Sequence, residues 1–204
     1  SEKYIGRCLR SLFKQNINKK NFEIIVINDF SKDNSIAEIK KYKSSNLKII
    51  HNKKNLGLPA SLNVGIKQAT GSLIVRVDSD DFLNRSAVEL MSDILDYNPE
   101  YGFVYCDHFR TDEWGIKQEI VKLNKKNLLN HGAGVLFKKE LIKKVGNYNP
   151  KLREAEDYDL ISKLKKICKP YHLPLPLYRY YIHEKNISKS GKRQSYIKMS
   201  NRKN

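Results

Sequence analysis

The sequence predicts an α/β domain whose mostly parallel sheet carries helices on both faces. Short apolar runs of β-forming residues alternate with amphipathic helical stretches, turn and capping signals punctuate the junctions, and acidic clusters directly follow two of the apolar runs. Such alternation favours parallel strands, because each strand–helix–strand unit returns the chain to the same end of the sheet.

The elements follow in order. Ile5, Leu9 and Leu12 share one helical face, so Tyr4 to Gln15 is expected as an amphipathic helix with Ser1 near its N-cap. Glu23 to Ile27 reads as a strand buried on both sides. Ser35 and Glu38 have capping-box spacing and open a helix toward Tyr42; Leu47 to Ile50 supplies the next strand. Pro59 suits the first turn of a helix that faces inward through Leu62, Ile66 and Ala69 and stops near Gly71. Leu73 to Val77 is a strand. Ser86 and Glu89 repeat the capping-box spacing before a helix with Val88, Met91 and Leu95 inward, and Phe103 to Cys106 is a further strand. Near the end, Tyr178, Tyr180 and Tyr181 alternate between the core and rim of a late strand.

Composition bounds the function. At 204 residues, 40% hydrophobic and 30% charged, the chain suits one soluble globular domain. No apolar run approaches the roughly 18 residues that span a bilayer, and the charged N-terminal helix is unlike a secretory signal. Cys8, Cys106 and Cys168 are odd in number, far apart and without CxxC spacing; this argues against a zinc ribbon or disulfide scaffold and fits a reducing cytoplasm. The formal charge of +17 attracts nucleic acid, anionic membrane surfaces or phosphorylated substrates, and it equally describes solvated lysines in pairs such as Lys53–Lys54, Lys125–Lys126 and Lys143–Lys144. The domain is expected over residues 1–185, followed at 186–204 by a mobile basic tail. After Glu184 no acidic residue occurs, whereas Lys185, Lys189, Lys192, Arg193, Lys198, Arg202 and Lys203 do, which fits peripheral contact with anionic lipid. A nucleic-acid-binding module would interleave basic and aromatic residues on a sheet face; ordered carboxylates at strand ends oppose phosphate binding, so no nucleic-acid partner is expected.

Ligands of open α/β sheets bind at the carboxyl ends of the strands. Asn28–Asp29 follows the first predicted strand, and Asp78-Ser79-Asp80-Asp81 follows Leu73 to Val77. A carboxylate there can accept from a base N–H or a ribose hydroxyl. An Asp-x-Asp pair on a tight turn can hold a hard divalent cation and leave positions for substrate phosphates. The same acids would also serve as N-caps of the helix that follows.

These segments resemble family 2 glycosyltransferases. Ile24 to Ser35 (IIVINDFSKDNS) is similar to the nucleotide-binding segment of that family. Asn55, Gly57, Ala60, Asn63 and Gly65 match its N-x-G-x-x-A-x-x-N-x-G spacing, and Asp78–Asp81 falls where its DxD motif belongs. Gly146 to Leu160 (GNYNPKLREAEDYDL) resembles its acceptor-side segment with the Glu-Asp motif, and Tyr178 to Ser188 (YRYYIHEKNIS) its closing segment with a single histidine. The resemblance implies the GT-A (Rossmann-like) fold, with residues 1–81 as the nucleotide-sugar half and 82–185 as the acceptor half. It also implies glycosyl transfer, with inversion, from a nucleoside-diphosphate sugar (a UDP-sugar) to a hydroxyl of a saccharide or glycolipid acceptor. Bacterial surface-polysaccharide synthesis at the cytoplasmic face of a membrane is the implied setting.

The resemblance also implies roles. Asp29 binds the base, with Asn28, Asn55 and Asn63 on the nucleotide side. Asp78 contacts the ribose or joins the metal shell, and Asp80 ligates Mn²⁺ or Mg²⁺. His183 completes the metal or diphosphate contacts. Asp157 is the general base, with Glu156 positioning the acceptor. Rival readings stand beside these: Glu156 and Asp157 also complement the dipole of a helix through Leu160, Ile161 and Leu164, His183 can be a surface histidine, and Gly57 a turn residue. Two departures are expected to matter. The family begins with a strand that this sequence does not contain before Ser1, so the chain is expected to be an unstable or weakly active fragment. Leu62 stands where many relatives carry arginine, which leaves diphosphate contacts to Arg76 or Lys185. A nucleotidyltransferase of related fold is the alternative enzyme class.

Overall fold

The computed structural model describes residues 1–124, 127–183 and 193–201. The Lys125–Lys126 pair and Lys185, Lys189, Lys192, Arg202 and Lys203 of the basic C-terminal stretch lie outside the described residues.

The helices are α1 (Ile5–Phe13), α2 (Ser35–Lys40), α3 (Leu58–Gln68), α4 (Ala87–Tyr97), α5 (Lys139–Lys144), α6 (Glu156–Leu164) and α7 (Arg193–Asn201). The strands are β1 (Ile24–Asn28), β2 (Leu47–His51), β3 (Leu73–Val75), β4 (Phe82–Leu83), β5 (Tyr101–Thr111), β6 (Lys117–Val121), β7 (Val135–Lys138) and β8 (Lys169–Tyr181). β1 and β2 form a parallel pair; the second sheet has the order β3-β7-β5-β8-β4, with β6 hairpinned onto β5.

The α/β class with helices on both faces is as expected. Strand alternation sends Phe103 and Tyr105 to one face of β5, where they pack with Ile142 of α5 and Leu160, Ile161 and Leu164 of α6. Val104 and Cys106 point to the other, against Met91 and Leu95 of α4. A third cluster joins Ile5, Cys8 and Leu9 of α1 to Ile24 of β1 and Ile39 of α2.

The mostly parallel arrangement is corrected. In the second sheet only β5 and β8 are parallel, whereas β3–β7, β5–β7, β4–β8 and β5–β6 are antiparallel. The physical reason is the excursion after β5. Residues 107–124 continue β5 and reverse into β6 through Gly115 at φ +84°, and a short 3-10 turn, Asn127–Asn130, follows. The chain therefore re-enters as β7 running opposite to both neighbours.

Neither capping box forms. Ser35 lies inside α2, behind Asn34 as N-cap, and Asp33 Oδ1 accepts its N–H. Ser86 is the N-cap of α4 without a side-chain bond into the helix; its hydroxyl meets Asn16 instead. The N-cap of α1 is Tyr4 and not Ser1, whose backbone oxygen accepts from the Tyr4 and Ile5 N–H groups in the turn before the helix. Part of the expected mobile tail is helix α7, docked on α6 by Ser200 Oγ donating to Asp159 Oδ1 at 2.9 Å.

β1 is not buried on both sides: only Ile24 is fully covered. Its outer ladder is unpaired among the described residues, and a cavity of about 850 Å³ runs along it. Ile24, Ile25, Val26 and Ile27 all line that cavity. Successive side chains point to opposite faces, so a space touching all of them lies along the strand edge.

Candidate active site

The acidic turn after β3 is built by its neighbours. The Asp81 N–H closes it onto the Asp78 carbonyl at 3.0 Å. From α1, Arg7 donates to the Asp80 carbonyl at 3.2 Å and the Cys8 thiol to that of Asp78 at 3.6 Å. Tyr178 of β8 accepts the Asp78 N–H and donates to Asp81 Oδ2 at 2.6 Å, while the Tyr181 N–H donates to Asp81 Oδ1 at 2.8 Å. Burial, with Asp78 and Asp80 adjacent, pushes the Asp81 carboxyl well above its ordinary range. Asp81 is therefore a structural pin. The N-cap reading fails for both Asp80 and Asp81, because α4 starts behind Ser86.

Asp29, Asp78, Asp80, Glu156 and Asp157 all line the cavity. Asp29 sits at the end of β1 and accepts from Asn52 Nδ2, the Leu56 N–H and the Gly57 N–H at 2.8–2.9 Å. Burial opposes its charge, but these donors outweigh it and hold the carboxyl below its ordinary range. Asn28, Asn55 and Asn63 stand outside the lining. Asn28 bonds His51 and the Ser31 N–H, and Asn55 donates to the Asp29 carbonyl. Asn63 clasps the Tyr148 backbone by donating to its carbonyl and accepting its N–H. The spacing motif thus fastens α3 to the 146–152 loop. Gly57, at φ +83°, is a turn residue preceding α3.

His183 meets Asp80: Nε2 and Oδ2 lie 2.8 Å apart. Adjacent ligands of an octahedral Mg²⁺ or Mn²⁺, with bonds of about 2.1 Å, stand about 3 Å apart, so this pair fits one such ion. Asp78 instead gives both oxygens to Arg76, which donates from Nε at 2.7 Å and from Nη2 at 3.0 Å. Among the described residues no group of three or more His, Cys, Asp or Glu side chains is arranged to hold a metal. Asp80 and His183 would therefore share the shell with diphosphate and water oxygens.

Across the cavity, Glu156 and Asp157 open α6. Arg76 Nη1 donates to Glu156 Oε1 at 2.9 Å, so Arg76 is engaged by carboxylates and is not a free diphosphate contact. Burial pushes Glu156 up; Arg76 opposes this and Asp157 adds to it. Asp157 Oδ1 accepts from the Tyr158 N–H at 2.7 Å and from Arg193 Nη2 of α7 at 2.9 Å. His108 and His131, which line the same cavity, cross edge to face with ring centres 4.2 Å apart. Burial lowers their pKa to about 3 and about 4, so both are neutral. Sequence reasoning did not single out His108, His131, Gly132 or Arg193. One signal was present for Gly132: the stretch HGAG before an apolar strand marks a close backbone approach.

The sequence matches Glycosyl transferase family 2 over residues 1–146. The chain belongs to that family. An uncharacterized glycosyltransferase of Haemophilus influenzae is 30% identical over 91% of the chain and 66% of its own length. Chondroitin synthase of Pasteurella multocida is 28% identical over 91% of the chain and 20% of that protein. Poly(ribitol-phosphate) beta-N-acetylglucosaminyltransferase TarS of Staphylococcus aureus is 39% identical over 47% of the chain and 17% of that enzyme. The family 2 chain thus spans about two thirds or less of these relatives' lengths. Its fold is that of the GT-A glycosyltransferases: the crystal structure of TarS 1–349 with UDP-GlcNAc superposes at a TM-score of 0.82 over 98% of this chain and 62% of that one, at 24% identity. TarS 1–349 with UDP superposes at 0.76, with 25% identity, over 89% of this chain and 57% of that one.

Proposed function

We propose that this family 2 domain transfers a glycosyl group, with inversion, from a UDP-sugar to a hydroxyl of a saccharide or glycolipid acceptor. One observation carries the reading: Asp29, Asp78 and Asp80 from the N-terminal strands share one cavity with Glu156 and Asp157 of α6. That juxtaposition supports a division into a donor half, 1–81, and an acceptor half, 82–185. Relatives solved with UDP and UDP-GlcNAc support the uridine donor.

Asp157 takes the proton from the acceptor hydroxyl, which attacks the anomeric carbon from the face opposite the departing nucleoside diphosphate. Glu156 orients that acceptor, and Asp29 reads the nucleotide side. Asp80 and His183 would hold Mn²⁺ or Mg²⁺, and such an ion would supply positive charge to offset the charge growing on the diphosphate. One carboxylate base suffices, unlike the carboxyl pair of glycoside hydrolysis. Synthesis of a bacterial surface polysaccharide or glycolipid on the cytoplasmic side, with peripheral lipid contact, is the setting this reading favours. No helix among the described residues is long and apolar enough to cross a membrane.

Calorimetric titration with UDP, with and without Mn²⁺, tests the donor site on the chain and on Asp80→Ala. Metal-dependent binding lost in the variant is expected; equal binding in both refutes the assignment of Asp80. Asp157→Asn is expected to keep UDP binding and to lower transfer by about 10²–10⁴-fold.

A further inference from the structure

Arg76 is a charge in an otherwise apolar run, Leu73 to Val77. A buried guanidinium persists only when its N–H groups are matched, because desolvation costs several kcal/mol per ion. Its side chain is 9% exposed. Asp78 and Glu156 raise its pKa far above the ordinary value against the opposing effect of burial, so it stays charged.

The geometry of the match is informative. Nε and Nη2 form a fork on the two oxygens of Asp78, at 2.7 and 3.0 Å, while Nη1 reaches Glu156 at 2.9 Å. Guanidinium is planar and rigid, so the fork that fixes Asp78 also fixes where the third N–H points. Asp78 belongs to the acidic turn; Glu156 precedes Asp157 on α6. The backbone of the same residue is held as well, since the Arg76 carbonyl accepts the Gly134 N–H at 2.9 Å. Gly132 closes the arrangement: a Cβ there would stand 3.1 Å from Arg76 Nη1 and 2.6 Å from Asp157 Cβ.

We infer that Arg76 is a positioning residue that couples the donor-side turn to the acceptor-side helix through Asp78 and Glu156. Its fork and its third N–H are taken up by these two carboxylates. Rotation of Asp78 turns the guanidinium plane and carries Glu156 with it, so occupation of the donor turn changes how the head of α6 is presented. Lysine cannot substitute, because an ammonium is a point donor without a fork. The inference rests on reading the acidic turn as the donor site and α6 as the acceptor side.

A double-mutant cycle on UDP affinity in Mn²⁺ tests it, with thermal melts confirming that each variant folds. Arg76→Met is expected to weaken UDP about tenfold and Glu156→Gln, on the far side of the cavity, about threefold, with the double variant no weaker than Arg76→Met alone. Arg76→Lys is expected to recover only part of the loss. Effects that multiply independently, or unchanged UDP affinity in Arg76→Met, overturn the inference. Should Arg76→Met fail to fold, Arg76→Lys with Glu156→Gln runs the same cycle. Asp80→Ala separates the underlying readings: Mn²⁺-dependent binding that survives there overturns the donor site and the coupling together. Its loss there, with unchanged affinity in Arg76→Met, overturns the coupling alone.

Discussion

Gly132→Ala is a small perturbation with a large expected effect. The added Cβ would meet Asp157 Cβ at 2.6 Å and Arg76 Nη1 at 3.1 Å. Ordinary carbon contacts begin near 3.5 Å, so the first must open by about 1 Å. Neither neighbour can yield freely. Asp157 Cβ is fixed to the first turn of α6, which is buried through Leu160 and Ile161, and Arg76 is held at three N–H groups. The displacement therefore moves the head of α6 or the 131–134 turn, at the cost of overpacking, about 1–3 kcal/mol. For a domain of this size that corresponds to a melting temperature lower by about 2–12 °C. Shifting a catalytic group by about 1 Å costs on the order of 10²-fold in rate. Differential scanning calorimetry and UDP release from UDP-GlcNAc read the two effects. A variant that melts with the parent and turns over equally fast would refute the close approach of Gly132 to Asp157.

Three further outcomes follow from the same contacts. Tyr178→Phe removes the hydroxyl between the Asp78 N–H and Asp81, leaving buried polar groups unmatched; a loss of about 1–3 kcal/mol in urea unfolding is expected, and an unchanged midpoint would exclude the pin. The folded pKa of Asp29 is depressed, so its stabilisation is present above the ordinary value of 3.8 and lost as pH falls through the folded value. The melting gap between the parent and Asp29→Asn should therefore be wide at about pH 5 and close in stronger acid, and a gap that widens with acid would reverse that sign. Burial pushes the Cys106 thiol to about 12 and raises Cys8 as well, while Cys168 is only partly covered. With a thiol reagent at pH 8, Cys168 should react first and the others only on unfolding; early labelling of Cys8 by mass spectrometry would count against its burial.

Much of this was legible in the residues because it is local. Leu160, Ile161 and Leu164 mark a helix face, and Asp78–Asp81 falls on a strand end, from spacing alone. Strand direction was not legible: alternation describes β7 equally well in either sense, and the reversal through Gly115 decides it. The capping boxes failed because α2 starts one residue early with Asp33 accepting the Ser35 N–H, and because Asn16 donates to the Ser86 hydroxyl. Within the site, Asp80 and His183 meet as the motif order implies, yet Asn63 and Asn28 face backbone and a neighbouring side chain. A motif reports that a residue type is needed at a place; whether it faces ligand or scaffold depends on partners distant in sequence, such as Tyr148 for Asn63 and Glu156 for Arg76.

The outer ladder of β1, unpaired among the described residues, is a strand edge set inside a cavity. Exposed strand edges act as templates for sheet growth, and folded proteins that present them tend to associate edge to edge. Here the edge is recessed, with Ile5, Leu9 and Leu12 of α1 and the Arg76–Asp81 segment walling the same cavity. An edge walled in this way is shielded from edge-to-edge pairing with another folded sheet.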